Sequence, residues 1–181
     1  MILKVARLGF PSVRTAARPV DPAQIKTHDF QKVIDDMVDT MHEYVGVGLA
    51  APQVHLPIQL AVLEVENHPR YPDMPDVPLT VLINPAVTIA DRTLVEDWEG
   101  CLSIPDMRGR VPRYAKLKVD CLDRFGKRQE FVADGFFARV VQHEFDHLMG
   151  NVYIDRMPNF STLTHFAEFG RYWMPAPPQP K

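Results

Sequence analysis

Two cysteines in 181 residues are too few for a disulfide framework; they fit a reducing compartment, where one thiolate can serve as a ligand. No run of 18 apolar residues occurs, so no helical membrane span is expected. There is no block of Lys and Arg either. Twenty basic residues face 23 acidic ones, and a net charge of −3 argues against a dedicated nucleic-acid binder, whose affinity would need clustered cations. No internal repeat and no linker divides the chain. What remains is an ordinary globular composition, 46% hydrophobic and 24% charged, at a length that buries about 70% of the unfolded surface in one domain. Residues 1–20 carry Lys4, Arg7, Arg14 and Arg18 with no acid before Asp21, which resembles a transit peptide. Ile2, Val5 and Leu8 with Gly9-Phe10-Pro11 read instead as the domain's own first turn, and that reading is preferred. The expected location is cytoplasmic, with an organelle as the alternative.

The most informative stretch runs from Gln142 to Leu148 and contains His-Glu-x-x-His. It lies in a helical pattern of apolar residues at Phe136, Phe137, Val140, Val141, Phe145 and Leu148, with Asp134 placed to cap the start and Gly150 to end it. His143 and His147 are four apart, so their imidazoles project from one helix face and can reach one metal ion. Glu144 is turned about 100° from His143, poorly placed as a ligand but well placed as a base beside an open coordination position. Paired histidines on a helix are usually surface or core residues; a glutamate directly after the first shifts the balance towards a metal site. The third ligand is open among several residues. The metallopeptidase extension would require a histidine at position 153, where Tyr153 stands. Downstream, Asp155, His165 and Glu168 lack a supporting context.

Upstream, residues 26–45 read as an amphipathic helix with Phe30, Val33, Ile34, Met37, Val38, Met41 and Val45 as its stripe, Thr27 as its N-cap and Gly46 as its end. Gly46-Val47-Gly48-Leu49-Ala50-Ala51-Pro52-Gln53 follows. It is either a tight helix-to-strand connection or a small-residue wall with Gln53 as its polar handle. Residues 58–65 and 79–84 read as strands, and 86–98 as a pair of short strands bounded by Asp91-Arg92. Between them Pro69, Pro72, Pro75 and Pro78 recur every third residue, a period that suits a stiff polyproline surface loop. Cys121 alternates with Leu117 and Val119 and so reads as a buried core thiol. Cys101, after Gly100 in a loop ended by Pro105, is left as the thiolate available to a metal. Residues 171–181 form a Pro-rich tail for which disorder is expected, after a single domain over 1–170.

Three motifs together are similar to those of the peptide deformylase family: Gly-x-Gly-x-Ala-Ala-x-Gln at Gly46 to Gln53, Glu-Gly-Cys-x-Ser at Glu99 to Ser103, and Gln-His-Glu-x-Asp-His at Gln142 to His147. Their order and spacing also fit, and the resemblance covers about residues 1–160. It implies an α+β fold of mostly antiparallel strands around a central metal-binding helix. It also implies a metal held by Cys101, His143 and His147, Glu144 as general base, and an oxyanion hole from Gln53 and the Leu102 N–H. The reaction implied is release of formate from N-formylmethionine at the start of new polypeptides. Gly46, Gly48, Ala50 and Ala51 would crowd the formyl group, Gly100 would also contact the substrate, and Val47, Phe136 and Val140 would line a methionine slot. The resemblance implies iron(II) as the ion, and the same donors suit zinc, nickel or cobalt. Nascent formylmethionyl peptides are the expected partners, with the ribosome near its exit tunnel as a possible one. Ala138-Arg139 and the run Asn151 to Met157 are similar to organellar members and their bacterial relatives, and no long basic C-terminal helix follows. The rival reading is a zinc metallopeptidase of the His-Glu-x-x-His type that takes Glu168 as third ligand.

Overall fold

The structure, a computed structural model, describes residues 1–66 and 74–174. Its frame is one antiparallel sheet. Strands β1 (Gly48–Ala50), β2 (Leu60–Val65), β3 (Val77–Cys101), β4 (Ile104–Leu122) and β5 (Arg128–Asp134) lie side by side in that order, and β6 (Thr164–His165) pairs with β4. The helices are α1 (Pro22–Ile25), α2 (His28–Glu43), α3 (Gly135–Leu148) and α4 (Phe166–Tyr172). This is the α+β class with antiparallel strands that the sequence led us to expect.

The β1–β2 end of the sheet is covered on both faces. Leu49, Leu60 and Val62 pack with Ile34, Met37 and Met41 of α2, whereas Ala50, Ala61 and Leu63 pack with Val140 and Val141 of α3. Burial on two faces explains why residues 60–65 are almost continuously apolar instead of alternating. Further along, β4 turns Leu117, Val119 and Cys121 towards α3. Its outer face is a charge ladder, with Lys116 2.8 Å from Asp134, Lys118 3.1 Å from Glu130, and Asp120 paired with Arg128.

Several local expectations change. Residues 79–98 are not separate short strands: all belong to β3, which pairs along its length with β4. The turn signal at Asp91-Arg92 survives only as a register shift, with Asp91 Oδ1 accepting the Thr93 N–H at 2.9 Å. Thr27 does cap α2, accepting from Phe30 N at 3.3 Å. The helix ends at Glu43, two residues earlier than expected, because Val45 (φ 51°) takes the left-handed position and Gly46 N closes on Met41 O at 2.8 Å. Val45 is therefore exposed and lies off the stripe. Asp134 occupies the N-cap of α3, but its carboxylate goes to Lys116 and not to the helix N–H groups. Gly150 (φ 77°) does end α3, donating to His147 O at 3.2 Å.

The N-terminal segment is part of the domain, through different residues from those first expected. Ile2 and Leu8 are exposed; Ala6, Val13, Ala17 and Val20 are buried. Small residues face inward because the backbone runs close to three other segments: Ala6 N donates to Gln53 O (2.7 Å), Leu8 N to Ser103 O (2.8 Å) and Ala17 N to Leu148 O (2.8 Å). It thereby ties together the segments that carry the three motifs. Pro69 and Pro72 of the proline series, and residues 175–181 of the Pro-rich tail, lie outside the described residues. Pro75 is exposed, Pro78 stands in β3, and Arg171 and Tyr172 belong to α4. Among the described residues no helix is long and apolar enough to cross a membrane.

Candidate active site

Three donor atoms meet where the end of β3 crosses α3. Cys101 is the last residue of β3, and His143 and His147 come from successive turns of α3. The ligand atoms all lie within 4.8 Å of one another, and this is the only such cluster of His, Cys, Asp and Glu among the described residues. Cys101 Sγ is 3.2 Å from His147 Nε2. Ligands held about 2.0–2.3 Å from a tetrahedral ion stand roughly 3.5 Å apart, so Cys101 and His147 already have the spacing of a coordinated pair. Burial opposes ionisation of Cys101, but the fields of His147 and His143 outweigh it and hold the thiol well below its ordinary value. Ser103 N (3.4 Å) and Gln53 Nε2 (3.6 Å) also donate to this sulfur. Cys121 is the opposite case: buried in the core beside Gln129, its thiol is pushed up to about 11 by burial.

The second nitrogen of His143 is held from behind. Nδ1 lies 2.9 Å from Glu99 Oε2, which leaves Nε2 for the metal side. Glu99 is itself buried and gripped by a forked guanidinium, Arg113 Nε to Oε1 at 2.8 Å and Nη2 to Oε2 at 2.9 Å. Arg139 Nη1 adds a further bond to Oε1 at 2.8 Å. Arg113 Nη1 continues to Asp146 Oδ2 at 2.6 Å, and Arg156 closes the chain from the surface. Burial opposes charge on Glu99, yet Arg113 and His143 keep it well below the usual carboxylate range. None of this network was assigned from sequence. Glu99 and Asp146 were letters within motifs, Arg139 a marker of one branch, and Arg113 was passed over. For Glu99 and Asp146 the position inside a motif was the available signal; Arg113 lies in none.

Glu144 sits beside the histidines, 3% exposed, with no partner for Oε2. Burial pushes its carboxyl up to about 7, against the pull of His143 and His147. The cavity it lines, about 440 Å³, brings together the other anticipated residues. Gly46, Val47 and Gly48 form one side, Phe136 and Val140 of α3 another, and Gln53, Gly100 and Leu102 lie beside Cys101. Gln53 is fixed at both ends of its amide: Oε1 accepts from Ala50 N at 2.8 Å and Nε2 donates to Ser103 Oγ at 3.3 Å. Residues not anticipated complete the cavity: Trp98, Arg108 and Phe166. Arg108 lies over the rings of Phe166 (5.3 Å) and Phe169 (5.5 Å), so α4 closes one end with aromatic surface.

The alternative third ligands are elsewhere. Glu168 pairs with Arg171 at 3.3 Å, Asp155 with Arg14, and His165 stands at the head of α4. Tyr153 packs its ring on His143, centroids 6.3 Å apart, and its hydroxyl has no partner. The observation that would have favoured a metallopeptidase, an acid or histidine from this side joining His143 and His147, is not found among the described residues.

The chain matches the polypeptide deformylase family over residues 2–162. It is 48% identical over 153 residues to peptide deformylase 1 of Nitrosomonas europaea, covering 84% of this chain and 86% of that one. Against peptide deformylase 1 of Bordetella pertussis the identity is 44% over 157 residues, covering 87% and 88%. Among solved structures it is similar to the class I type b peptide deformylase of Acinetobacter baumannii with Met-Ala-Ser bound. There the TM-score is 0.84 at 38% identity, over 87% of this chain and 99% of that one. The peptide deformylase of Thermotoga maritima gives a TM-score of 0.77 at 34% identity, over 88% and 99%.

Proposed function

This chain belongs to the polypeptide deformylase family, and we propose that it hydrolyses the formyl group from N-formylmethionine at the N-terminus of new polypeptides, releasing formate. One observation carries the reading: the donors Cys101, His143 and His147 converge beside a buried carboxylate, Glu144, whose Oε2 has no partner. A sulfur and two imidazole nitrogens at this spacing fit a divalent ion, and α3 is then the metal-binding helix of the fold. The ion expected in the cell is iron(II); zinc, nickel or cobalt would take the same donors in purified protein. When bound, it supplies Lewis acidity, enough to bring the pKa of water from 15.7 to about 7.

The chain's own residues do the rest. Glu144 is the general base, taking the proton of the attacking water and returning it to the departing amine. Gln53 Nε2, fixed through Ala50 and Ser103, and the Leu102 N–H receive the charge that develops on the formyl oxygen; losing one such donor typically costs about 10²–10³ in rate. Gly46 and Gly48 line the cavity and leave room for a hydrogen on the acyl carbon and little more, whereas Ala50 and Ala51, expected in the same wall, are buried in the core. Val47, Phe136 and Val140 face the methionine side chain. The Met-Ala-Ser bound to the Acinetobacter enzyme is the product a formylated tripeptide would leave. Such substrates arise on growing chains, so we place the work of residues 1–170 in the cytoplasm, near the ribosomal exit tunnel.

The test measures formate release from formyl-Met-Ala-Ser, acetate release from its acetyl analogue, and peptide cleavage in an unstructured protein. Rapid deformylation, a far slower acetyl reaction and no internal cleavage are expected. One methyl is usually worth only about 1–3 kcal/mol in a pocket, but exclusion by backbone walls exceeds that. Equal rates on the two acyl groups, or cuts within the protein chain, would overturn the reading.

A further inference from the structure

Arg139 stands on α3 one turn before His143, and both side chains reach the same carboxylate. Arg139 Nη1 donates to Glu99 Oε1 at 2.8 Å, and His143 Nδ1 lies 2.9 Å from Glu99 Oε2. One helical turn thus closes a ring through Glu99. The same guanidinium donates to Val95 O at 2.6 Å on β3 and to Val111 O at 2.9 Å on β4. It is 6% exposed, so these bonds are made out of water. Glu99 is two residues before Cys101 on β3. Arg139 therefore joins the helix that carries two donors to the strand that carries the third.

A buried arginine could merely neutralise a buried acid. Arg113 already does that for Glu99, binding both oxygens. Arg139 adds a fourth donor to a carboxylate whose other three come from Arg113 and His143, so that both oxygens of Glu99 hold two bonds. A carboxylate held this way has no freedom to rotate, and neither has the imidazole bonded to it. We propose that Arg139 is a positioning residue for the metal centre. By fixing Glu99 and the ends of β3 and β4 against α3, it sets the spacing of Cys101 from His143 and His147 and controls how long the ion is retained. This rests on the metal reading above.

The test uses cobalt-loaded protein: wild type, Arg139→Met, Arg139→Lys, Glu99→Gln and the Arg139→Met/Glu99→Gln double variant. The readouts are the rate of cobalt loss to EDTA, the visible cobalt spectrum, kcat and KM. Arg139→Met should lose cobalt about 10–100-fold faster, the usual cost of removing a residue behind a metal ligand, with a shifted spectrum and a fall in kcat at nearly constant KM. Arg139→Lys should recover part of the loss, since an ammonium reaches Glu99 without spanning both strand carbonyls. On the Glu99→Gln background the arginine change should add little. Wild-type cobalt loss and spectrum in a folded Arg139→Met, even with a lowered melting temperature, would make Arg139 a structural strut and overturn the proposal; so would additive effects in the double variant. If Arg139→Met does not fold, Arg139→Lys decides, because wild-type retention in that variant overturns it equally. Wild type that takes up no divalent ion would instead refute the metal reading itself.

Discussion

Gly48 on β1 leaves no room for a side chain against Glu144. A Cβ at position 48 would lie 2.7 Å from Glu144 Cδ and closer still to Oε1. Gly48 is not in a left-handed conformation, so the close approach alone requires glycine here. The backbone of β1 is thus the wall against which the buried carboxylate rests. Because the group it would strike is the end of a side chain, Gly48→Ala should fold and push Glu144 aside. A displacement of about 1 Å at a reacting group can cost roughly 10² in rate. We expect a kcat lower by about that factor with metal content unchanged. Wild-type kcat in Gly48→Ala would show that the carboxylate's position is not set by β1.

The pH dependence of the reaction follows from the same burial. Without an ion, burial pushes the Glu144 carboxyl up to about 7. A base works only when deprotonated, so kcat/KM should fall tenfold per unit as pH drops through its pKa. A bound cation favours the charged form, which sets this acid limb of the loaded enzyme below 7. Glu144→Gln keeps the shape and cannot take a proton. It should retain the metal, lose about 10²–10⁴ in kcat, and show no acid limb from this group. Loss of the metal in Glu144→Gln would make the residue a ligand instead of a base.

His143, Glu144 and His147 were legible because helical geometry alone fixes which face each occupies. Cys101 was legible because Cys121 fell into a strand alternation that hid it; the loop expected from Gly100 to Pro105 is a tight turn at Leu102 and Ser103, with Gly100 in β3 and Pro105 in β4. The clamp behind the Cys101, His143 and His147 cluster was not. Arg113 finds Glu99 14 residues away in sequence and Asp146 33 away, and Arg139 finds Glu99 40 away. Charged residues far apart read as solvated surface, and only the pairing of β3 with β4 and the packing of α3 bring them together. The same long-range pairing overrides Asp91-Arg92, a local turn signal absorbed into β3. At Val45 a β-branched residue takes the position that sequence would give to the adjacent glycine.

The two cysteines should separate cleanly. Cys101 Sγ stands among His147 Nε2, Ser103 N and Gln53 Nε2, whereas Cys121 is 3% exposed in the core. Cys101→Ser should lose most metal and activity. Cys121→Ser should keep both and give up about 1–2 kcal/mol of stability, since a hydroxyl replaces a small apolar group in the interior. Metal analysis and urea melts of the two variants check this. Equal metal content in wild type and Cys101→Ser would remove Cys101 from the ligand set.

Acid should unfold the metal-free protein partly through Asp146. Its carboxylate is 4% exposed and bonded by Arg113 Nη1 at 2.6 Å and Arg156 Nη2 at 2.6 Å. Burial raises its pKa, but Arg156 and Arg113 outweigh burial and hold it below the ordinary value. A folded pKa below the unfolded value, which is about 3.9 for aspartate, means the folded state favours the charged form. The stabilisation is then fully present above about pH 5 and is lost as pH falls through 4 towards the folded pKa. Asp146→Asn removes the charge and leaves Arg113 buried with one carboxylate fewer. Breaking a buried pair in this way costs about 3–5 kcal/mol. We expect metal-free Asp146→Asn to be less stable than metal-free wild type by about that amount at pH 7. The gap should narrow at pH 3, where the unfolded wild-type chain has taken up the proton that the folded carboxylate resists. Urea melts at the two pH values measure it. A gap that stays constant would show that the Asp146 carboxyl takes up its proton equally in folded and unfolded chains, and would take the Arg113–Asp146–Arg156 chain out of the acid response.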